Sequence, residues 1–324
     1  MGEFDLIARH FKRPVRRSPL GVGDDCALLA PRPGMQLAVS SDMLIEGRHF
    51  FADVAPQALG HKALAVNLSD LAACGAEPLA FTLALALPQA DDAWLAAFAS
   101  GLWALADAHG CELVGGDTTR GPLTLCITAL GEVPAGQALL RSGAQAGDDL
   151  YVSGTLGDAR LALEALQHRV VLPDEVLAAA RARLERPAPR VALGLALRGL
   201  ATSAIDLSDG LCGDLGHILE ASGVGASLDL DVTMSLIASN IYRTSAGVQF
   251  GLDFWQQCVL AGGDDYELLF TAPPQRRAAV QAAAQASQTP VARIGHIDSA
   301  PGLRILDGSG RPVDARFASF DHFG

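Results

Sequence analysis

The chain has 324 residues, half of them apolar, with 24 Lys and Arg against 36 Asp and Glu, for a formal charge of −12. Length and apolar content fit two ordinary domains, each able to bury a core, and exclude a disordered or fibrous chain. The acidic balance argues against nucleic-acid or anionic-membrane binding as the main task, yet it admits a polyanionic small ligand when divalent metal ions sit between carboxylate and phosphate.

In chain order, Arg9, Lys12, Arg13, Arg16 and Arg17 have no continuous apolar stretch behind them. The apolar run at 79–87 is too short to span a bilayer and is closed by Pro88. Neither a signal peptide nor a spanning helix is expected, and the reading is a soluble, cytoplasmic protein. Period-two alternation predicts strands at 37–41, 81–87 and 123–130. A helix is predicted from Pro56 to about Cys74, stopped by Gly75. A second begins at Asp91-Asp92, carries the stripe Trp94, Leu95, Phe98, Leu102, Leu105 and ends near Gly110. Pro134, Gly136, Gly143 and Gly147 interrupt the pattern. Strands then follow at 150–153, 202–207, 267–271, 291–297 and 303–307, and helices at 157–168, 174–186, 190–199, 210–222 and 275–287. The prediction is α/β (α+β), with two mixed-sheet domains at 1–136 and 147–324.

An internal echo supports two related domains. Gly23-Asp24-Asp25 recurs as Gly147-Asp148-Asp149, Asn67-Leu-Ser-Asp70 as Asp206-Leu-Ser-Asp209, and Gly115-Gly116-Asp117 as Gly262-Gly263-Asp264. The unequal separations exclude a solenoid period.

The candidate chemistry lies in carboxylates beside glycines. In Gly21-Val-Gly-Asp-Asp25 the glycines permit a tight turn, and two adjacent carboxylates allow one to reach a metal while the other caps the turn; an ordinary turn has the same composition. Ser40-Ser41-Asp42, at the end of a predicted strand, offers hard oxygen donors or a helix cap. Asp70 shares a helix face with Ala63 and Val66, so its carboxylate requires pairing, a hydrogen bond or a metal. Gly115-Gly-Asp-Thr-Thr-Arg-Gly121 suits a phosphate-contacting loop, with Asp117 as a further ligand. Asp206-Leu-Ser-Asp-Gly-Leu211 stands where a strand gives way to a helix, whose N–H groups take either a side-chain cap or a phosphate. Gly262-Gly-Asp-Asp-Tyr-Glu267 reads as an acidic turn.

Other classes find no support. The chain contains no Walker A sequence, no Rossmann fingerprint and no nucleophile elbow. Six scattered cysteines form no CxxC pair, and those in apolar runs such as Leu125-Cys126-Ile127 read as small core residues. His10, His61, His109, His168, His217 and His296 lack metal-ligand spacing.

Taken together, these motifs resemble the thiamine-monophosphate kinases, within the superfamily of aminoimidazole ribonucleotide synthetase and selenophosphate synthetase. The resemblance spans almost the whole chain. It rests on the motifs above with Ser41-Asp-Met-Leu44, His49, the extension Gly-Gly-Asp-Thr-Thr-Arg-Gly-Pro122 and the terminal Phe320-Asp-His-Phe323. It implies an aminoimidazole ribonucleotide synthetase-like fold with the active site in the cleft between the domains, direct Mg²⁺-assisted in-line transfer of the ATP γ-phosphoryl group to thiamine monophosphate, and a homodimer formed through the N-terminal sheets. Asp25, Ser40, Ser41, Asp42, Asp70, Asp117, Asp206 and Asp209 are the implied metal set. Gly116, Asp117, Arg141 and Ser208 match nucleotide positions. Asp42, Asp70, Asp117 and Arg141 are the implied catalytic group, and His49, Asp264, Asp265 and Phe320 match the thiamine monophosphate region. Many relatives carry a tyrosine on the adenine side shortly before the Gly101 position, where this chain reads Phe98-Ala-Ser-Gly101; Phe98 either fills that space or belongs to the core. Phosphate-driven ring closure, selenophosphate formation and a non-catalytic metal-binding role are the rival readings. Selenophosphate formation normally suggests a reactive Cys or selenocysteine in a mobile N-terminal segment, and Cys26 lies within Gly-Asp-Asp-Cys-Ala instead.

Overall fold

The computed structural model describes residues 2–237, 250–313 and 317. The terminal motif with Phe320 lies outside them. Two compact units account for the chain, Met1–Leu71 with Ala76–Ala138, and Ala72–Gly75 with Leu139–Gly324.

The first unit opens with α1 (Glu3–Leu6), which runs into a π turn, Ile7–Phe11. It continues through β1 (Met35–Ile45), α2 (Pro56–Ala73), β2 (Glu77–Leu87), α3 (Asp92–His109), β3 (Glu112–Arg120) and β4 (Thr124–Pro134). The sheet order is β1-β4-β2-β3, with β4 antiparallel to β1 and β2, and β2 parallel to β3. Leu59, Leu64, Ala65, Leu68 and Leu71 of α2 are all almost completely buried, the pattern of a helix surrounded by protein. The Asp91 carboxylate caps α3 by accepting from the N–H groups of Ala93 and Trp94 at 2.9 and 3.1 Å, and Gly110 ends it at φ 59°. A Cβ on Gly60 would collide with the Phe98 carbonyl, and one on Gly101 with the Gln57 carbonyl. The glycines therefore let α2 and α3 approach backbone to backbone, and alanine at either position overpacks the contact at a cost of about 1–3 kcal/mol.

Two sequence expectations change here. β1 extends well beyond 37–41, so Ser40, Ser41 and Asp42 lie within a strand and not at its end. Residues 115–120 form most of β3 and are not a loop, because the run pairs in register with Thr82–Leu87 of β2. Glycine and hydroxyl residues suggested a loop, while the parallel partner that orders them is distant in sequence.

The second unit contains β5 (Asp149–Ser153), α4 (Asp158–Leu166), α5 (Asp174–Glu185), α6 (Val191–Leu197), β6 (Ser203–Asp206), α7 (Leu211–Ser222), β7 (Gly225–Asp229) and α8 (Leu230–Met234). After them come α9 (Leu252–Ala261), β8 (Leu268–Ala272), α10 (Arg277–Ala286), β9 (Val291–Asp298) and β10 (Gly302–Leu306). Its sheet order is β10-β7-β9-β5-β8-β6. β5, β6 and β8 are buried along their whole length, so their apolar runs do not alternate. Sequence periodicity overlooks β7, α8 and α9. β7 is only five residues long, and α9 starts directly from Gly251 without a side-chain cap.

Strands β1-β4-β2 and β5-β8-β6 share spatial order and antiparallel pairing. Two of the three short echoes do not follow that correspondence. Asn67–Asp70 lies inside α2, whereas Asp206–Asp209 leaves β6; Gly115–Asp117 lies inside β3, whereas Gly262–Asp264 is the turn between α9 and β8. The letters recur at places that differ in structure. Among the described residues no helix is long and apolar enough to cross a membrane.

Candidate active site

In the first unit, a cavity of about 800 Å³ is lined by Gly23, Asp24 and Asp25 and by Gly115, Gly116 and Asp117. Asp24 closes its own turn, its carboxylate accepting from the Asp25 N–H at 2.8 Å. The neighbouring Asp25 is exposed, as is Asp117. Gly116 adopts φ 148°, and any Cβ there would strike the Leu83 carbonyl. Only glycine fits, and it leaves bare backbone on an edge strand beside the cavity, the arrangement a phosphate can approach closely.

A second cluster joins β1 to α2. Ser40 Oγ donates to the Asp70 carboxylate, and the Asp42 N–H donates to Asn67 Oδ1 at 3.2 Å. Strand alternation puts Ser40 and Asp42 on this side and Ser41 on the other, where its hydroxyl meets Thr128 Oγ1 at 2.9 Å. The partner that Asp70 required on its apolar helix is thus a hydroxyl. Asn67, which the sequence marks only as the start of an echo, is buried and anchored to the Ala63 carbonyl at 3.1 Å. His49 follows β1 in a turn, its Nδ1 accepting from the Ile45 N–H at 3.0 Å.

In the second unit, β6 ends at buried Asp206, and Ser208 and Asp209 precede α7. The cap position of the helix falls on glycine and not on Ser208 or Asp209. Gly210 holds the cap position at φ 115°, and Asp214, from the first turn, accepts from the N–H groups of Asp209 and Gly210 at 3.1 Å each. Asp214 carries no role in the sequence reading; an acidic residue in the first turn of a predicted helix is the signal that could have pointed to it. The 262–267 turn pairs with the same loop: the Asp264 N–H donates to the Ser208 carbonyl at 2.9 Å, and the Tyr266 N–H to the Leu207 carbonyl at 2.8 Å. These bonds bring Ser208, Asp209 and Asp264 together. Arg141 is exposed, and its carbonyl accepts from Ser222 Oγ at 3.3 Å.

Asp264 and Asp265, the two acidic residues of the turn, differ in burial. It is 3% exposed, and both carboxylate oxygens accept from the Gly157 N–H at the start of α4, at 3.0 and 2.9 Å. Burial raises its pKa well above the usual carboxylate range. Asp265 is a helix cap within the protein, and half-buried Asp264, at φ 65°, is the member of the turn left near the loop. Glu267 is fully buried and receives Arg183 at 2.9 Å, Arg190 at 2.6 Å and Ser153 Oγ at 2.6 Å. Asp149 is likewise committed, to Arg277 at 2.6 and 2.7 Å and Arg293 at 3.2 Å, and the Arg277 guanidinium holds its pKa below the ordinary value. The second copy of the Gly-Asp-Asp echo is therefore an ion-pair anchor.

Phe98 is completely buried, stacked on Trp94 at 5.3 Å and edge-on to Phe11 at 6.4 Å. It is a core residue. Cys111, Cys212 and Cys258 are buried, their thiols pushed up to about 12 by desolvation, whereas Cys126, in its apolar run, is half-buried and Cys26 is exposed. Among the described residues no three His, Cys, Asp or Glu side chains converge closely enough to hold a metal ion by themselves.

Asp214 generates a pH test. Burial raises its pKa to about 7, ahead of the opposing hydrogen bonds. A carboxyl that holds its proton more tightly when folded contributes stability below its unfolded pKa and loses it as pH rises through the folded value. Asp214→Asn removes this titration, so its stability relative to wild type should improve between pH 5 and 8, by an amount on the order of a few kcal/mol. Denaturant unfolding across that range in EDTA checks this, and parallel pH profiles would contradict it.

The family description "AIR synthase related protein, N-terminal domain" matches residues 23–133, and its C-terminal counterpart matches 145–308. The thiamine-monophosphate kinase of Salmonella typhimurium is 46% identical over 330 aligned residues, covering 99% of this chain and 98% of the relative. The crystal structure of the thiamine-monophosphate kinase from Stenotrophomonas maltophilia K279a superposes with a TM-score of 0.83 at 46% identity, covering 96% of each chain. A structure of AaThiL complexed with AMPPCP and TMP has a TM-score of 0.75 at 28% identity, covering 99% of this chain and 97% of that one. Two family matches in order, and likeness along nearly the whole length, lead to one conclusion: the chain belongs to the thiamine-monophosphate kinases of the AIR synthase related family.

Proposed function

We propose that this chain transfers the γ-phosphoryl group of ATP to the phosphate of thiamine monophosphate, giving thiamine diphosphate and ADP. The observation that carries the reading is the 46% identity to a thiamine-monophosphate kinase across 99% of the chain. A relative of the same fold complexed with AMPPCP and TMP supports the pair of substrates.

The donor sets fit Mg²⁺. Asp25 and Asp117 line one cavity, Ser40 bonds Asp70 while the Asp42 N–H bonds Asn67 where β1 meets α2, and Asp206 and Asp209 flank the loop before α7. These are hard oxygen ligands in small groups, and Mg²⁺ characteristically takes one or two carboxylates and completes its shell with water and substrate phosphate. Ser41 is the weakest member, since its hydroxyl faces Thr128. When bound, the ions neutralise phosphate charge and align the transferring group.

The protein's own groups do the rest. An acceptor phosphate oxygen forms the new bond to the γ-phosphorus while the bond to the ADP bridging oxygen breaks, in line and with no phospho-enzyme intermediate. Phosphate monoesters lose their second proton near pH 6, so the acceptor needs no strong base. Exposed Arg141 presents a two-pronged guanidinium to the transferred oxygens. Ser208 and the bare Gly116 backbone bind nucleotide phosphate. His49 contacts the acceptor, and Asp264 balances the thiazolium charge. The free thiols suit a reducing compartment, consistent with the cytoplasm.

A homodimer also belongs to this reading. Leu37, Val39, Met43 and Ile45 alternate along edge strand β1 and are 38–62% exposed. An apolar edge of this kind is a pairing hazard unless a second copy covers it. Val39→Asp should produce monomers with a retained circular-dichroism spectrum; light scattering that shows an unchanged mass would remove β1 from the interface.

The activity is tested with ATP, Mg²⁺ and, separately, thiamine monophosphate, thiamine and aminoimidazole precursors, with products resolved. Thiamine diphosphate should form from thiamine monophosphate alone. Asp42→Asn and Asp70→Asn should lower turnover by at least about a hundredfold without unfolding, equivalent to roughly 3 kcal/mol of transition-state stabilisation. Arg141→Lys should lower kcat more than stability. Wild-type turnover in all three variants would sink the residue roles, and a different acceptor would sink the reading.

A further inference from the structure

We propose that the N-terminal segment, Phe4 to Lys12, forms the base-binding wall of the nucleotide site, with Phe4, Ile7 and Ala8 against the adenine and Lys12 against the phosphates. The inference rests on the phosphoryl-transfer reading and specifies one half of it. The 800 Å³ cavity that contains Gly116 and Asp117 also has Phe4, Ile7, Ala8 and Lys12 in its lining. Its size falls within the range of pockets that enclose a ligand as large as a nucleotide.

The chemistry of the lining is divided. The strand and loop residues offer backbone and carboxylates, and the N-terminal segment offers carbon surface and one ammonium. Phe4 is 80% exposed, a large aromatic surface with no internal packing role to match. Its segment is nevertheless held firmly from the other side. Leu6 and Phe11 are buried, the Trp103 Nε1–H donates to the His10 carbonyl at 2.9 Å, Arg13 lies 4.0 Å over the Trp103 ring, and Arg9 reaches Asp92 at 2.9 Å. A wall fixed in this way is prepared to stack on a planar base without ordering a flexible strand first.

Lys12 identifies which substrate occupies the cavity. A Cβ placed on Gly23 would stand only 2.8 Å from Lys12 Nζ, so the glycine lets the ammonium lie along the turn that bears Asp24 and Asp25. A cation there attracts a triphosphate and disfavours a thiazolium ring. Phe11 also lines the cavity but is buried, so exposed Phe4 and half-buried Ile7 supply the apolar surface that a base can reach.

Calorimetric titration of the full chain with AMPPCP and Mg²⁺, alongside tripolyphosphate and Mg²⁺, tests the assignment. The double variant Phe4→Ala, Ile7→Ala should bind AMPPCP about tenfold more weakly and leave tripolyphosphate unchanged. Lys12→Met should weaken both by about fivefold. Ala8→Trp, which fills the cavity from an exposed position, should reduce AMPPCP binding even if the double variant fails to fold, and thermal melts identify that case. KM for thiamine monophosphate should stay at its wild-type value throughout. Unchanged AMPPCP affinity in folded variants, or equal losses for AMPPCP and tripolyphosphate in the double variant, would overturn the wall. A wild-type chain that binds AMPPCP through this wall but fails to phosphorylate thiamine monophosphate would instead overturn the acceptor and leave the wall standing.

Discussion

Everything in this chain is organised around the cost of placing carboxylates out of water. With a net charge of −12, the protein must neutralise, hydrogen-bond or expose each acidic side chain. Buried Asp149 and Glu267 are each surrounded by two guanidiniums, and Asp265 and Asp214 are held by backbone N–H groups. Glu132, 1% exposed, lies against Arg32 and Arg17. Such groups fix loops and strand ends, because removing one partner would leave a desolvated charge behind. Asp25 and Asp117 remain exposed and retain oxygens that solvent, metal or substrate can reach.

Within each unit, this division leaves loops and strands held by hydrogen bonds, which is what the proposed function asks of them. Asp214 and the 262–267 turn hold the loop that bears Ser208 and Asp209 from two directions, so its geometry is set before ligand arrives. In the other unit, Asn67 and Asp70 of α2 hold Asp42 and Ser40 of β1 in the same way. Glycines complete the arrangement where backbone must pass close to something else. Gly154 leaves room for the Glu267 carboxylate and Gly116 for the Leu83 carbonyl. Preorganisation of this kind is what charge-dominated phosphoryl transfer needs, since its catalysis consists of positioning and electrostatic stabilisation.

Much of this was legible in the sequence wherever local signals agreed. The α3 boundaries follow from Asp91 and Gly110, and the need of Asp70 for a polar partner follows from its place on an apolar helix. The kinase family was legible from the order of the acidic glycine motifs. What escaped was determined by distant partners. Residues 115–120 look like a loop until β2 lies beside them, and Asp264 and Asp265 look alike until Gly157 accounts for both oxygens of the latter. Asp149 and Asp25 have the same sequence neighbourhood, Gly-Asp-Asp, and only the arginines from α10 and β9 separate their roles. Long-range charge pairing leaves no local pattern to read.

The central claim is that the available carboxylates form incomplete metal sites which the substrates' phosphates finish. The most direct test is the affinity of Mn²⁺, a spectroscopic stand-in for Mg²⁺, measured by electron paramagnetic resonance with and without AMPPCP. The account predicts weak binding, in the millimolar range, to the protein alone and an increase of at least about a hundredfold when AMPPCP is present, corresponding to roughly 3 kcal/mol of coupling. Tight Mn²⁺ binding in the absence of nucleotide, unchanged by its addition, would contradict it.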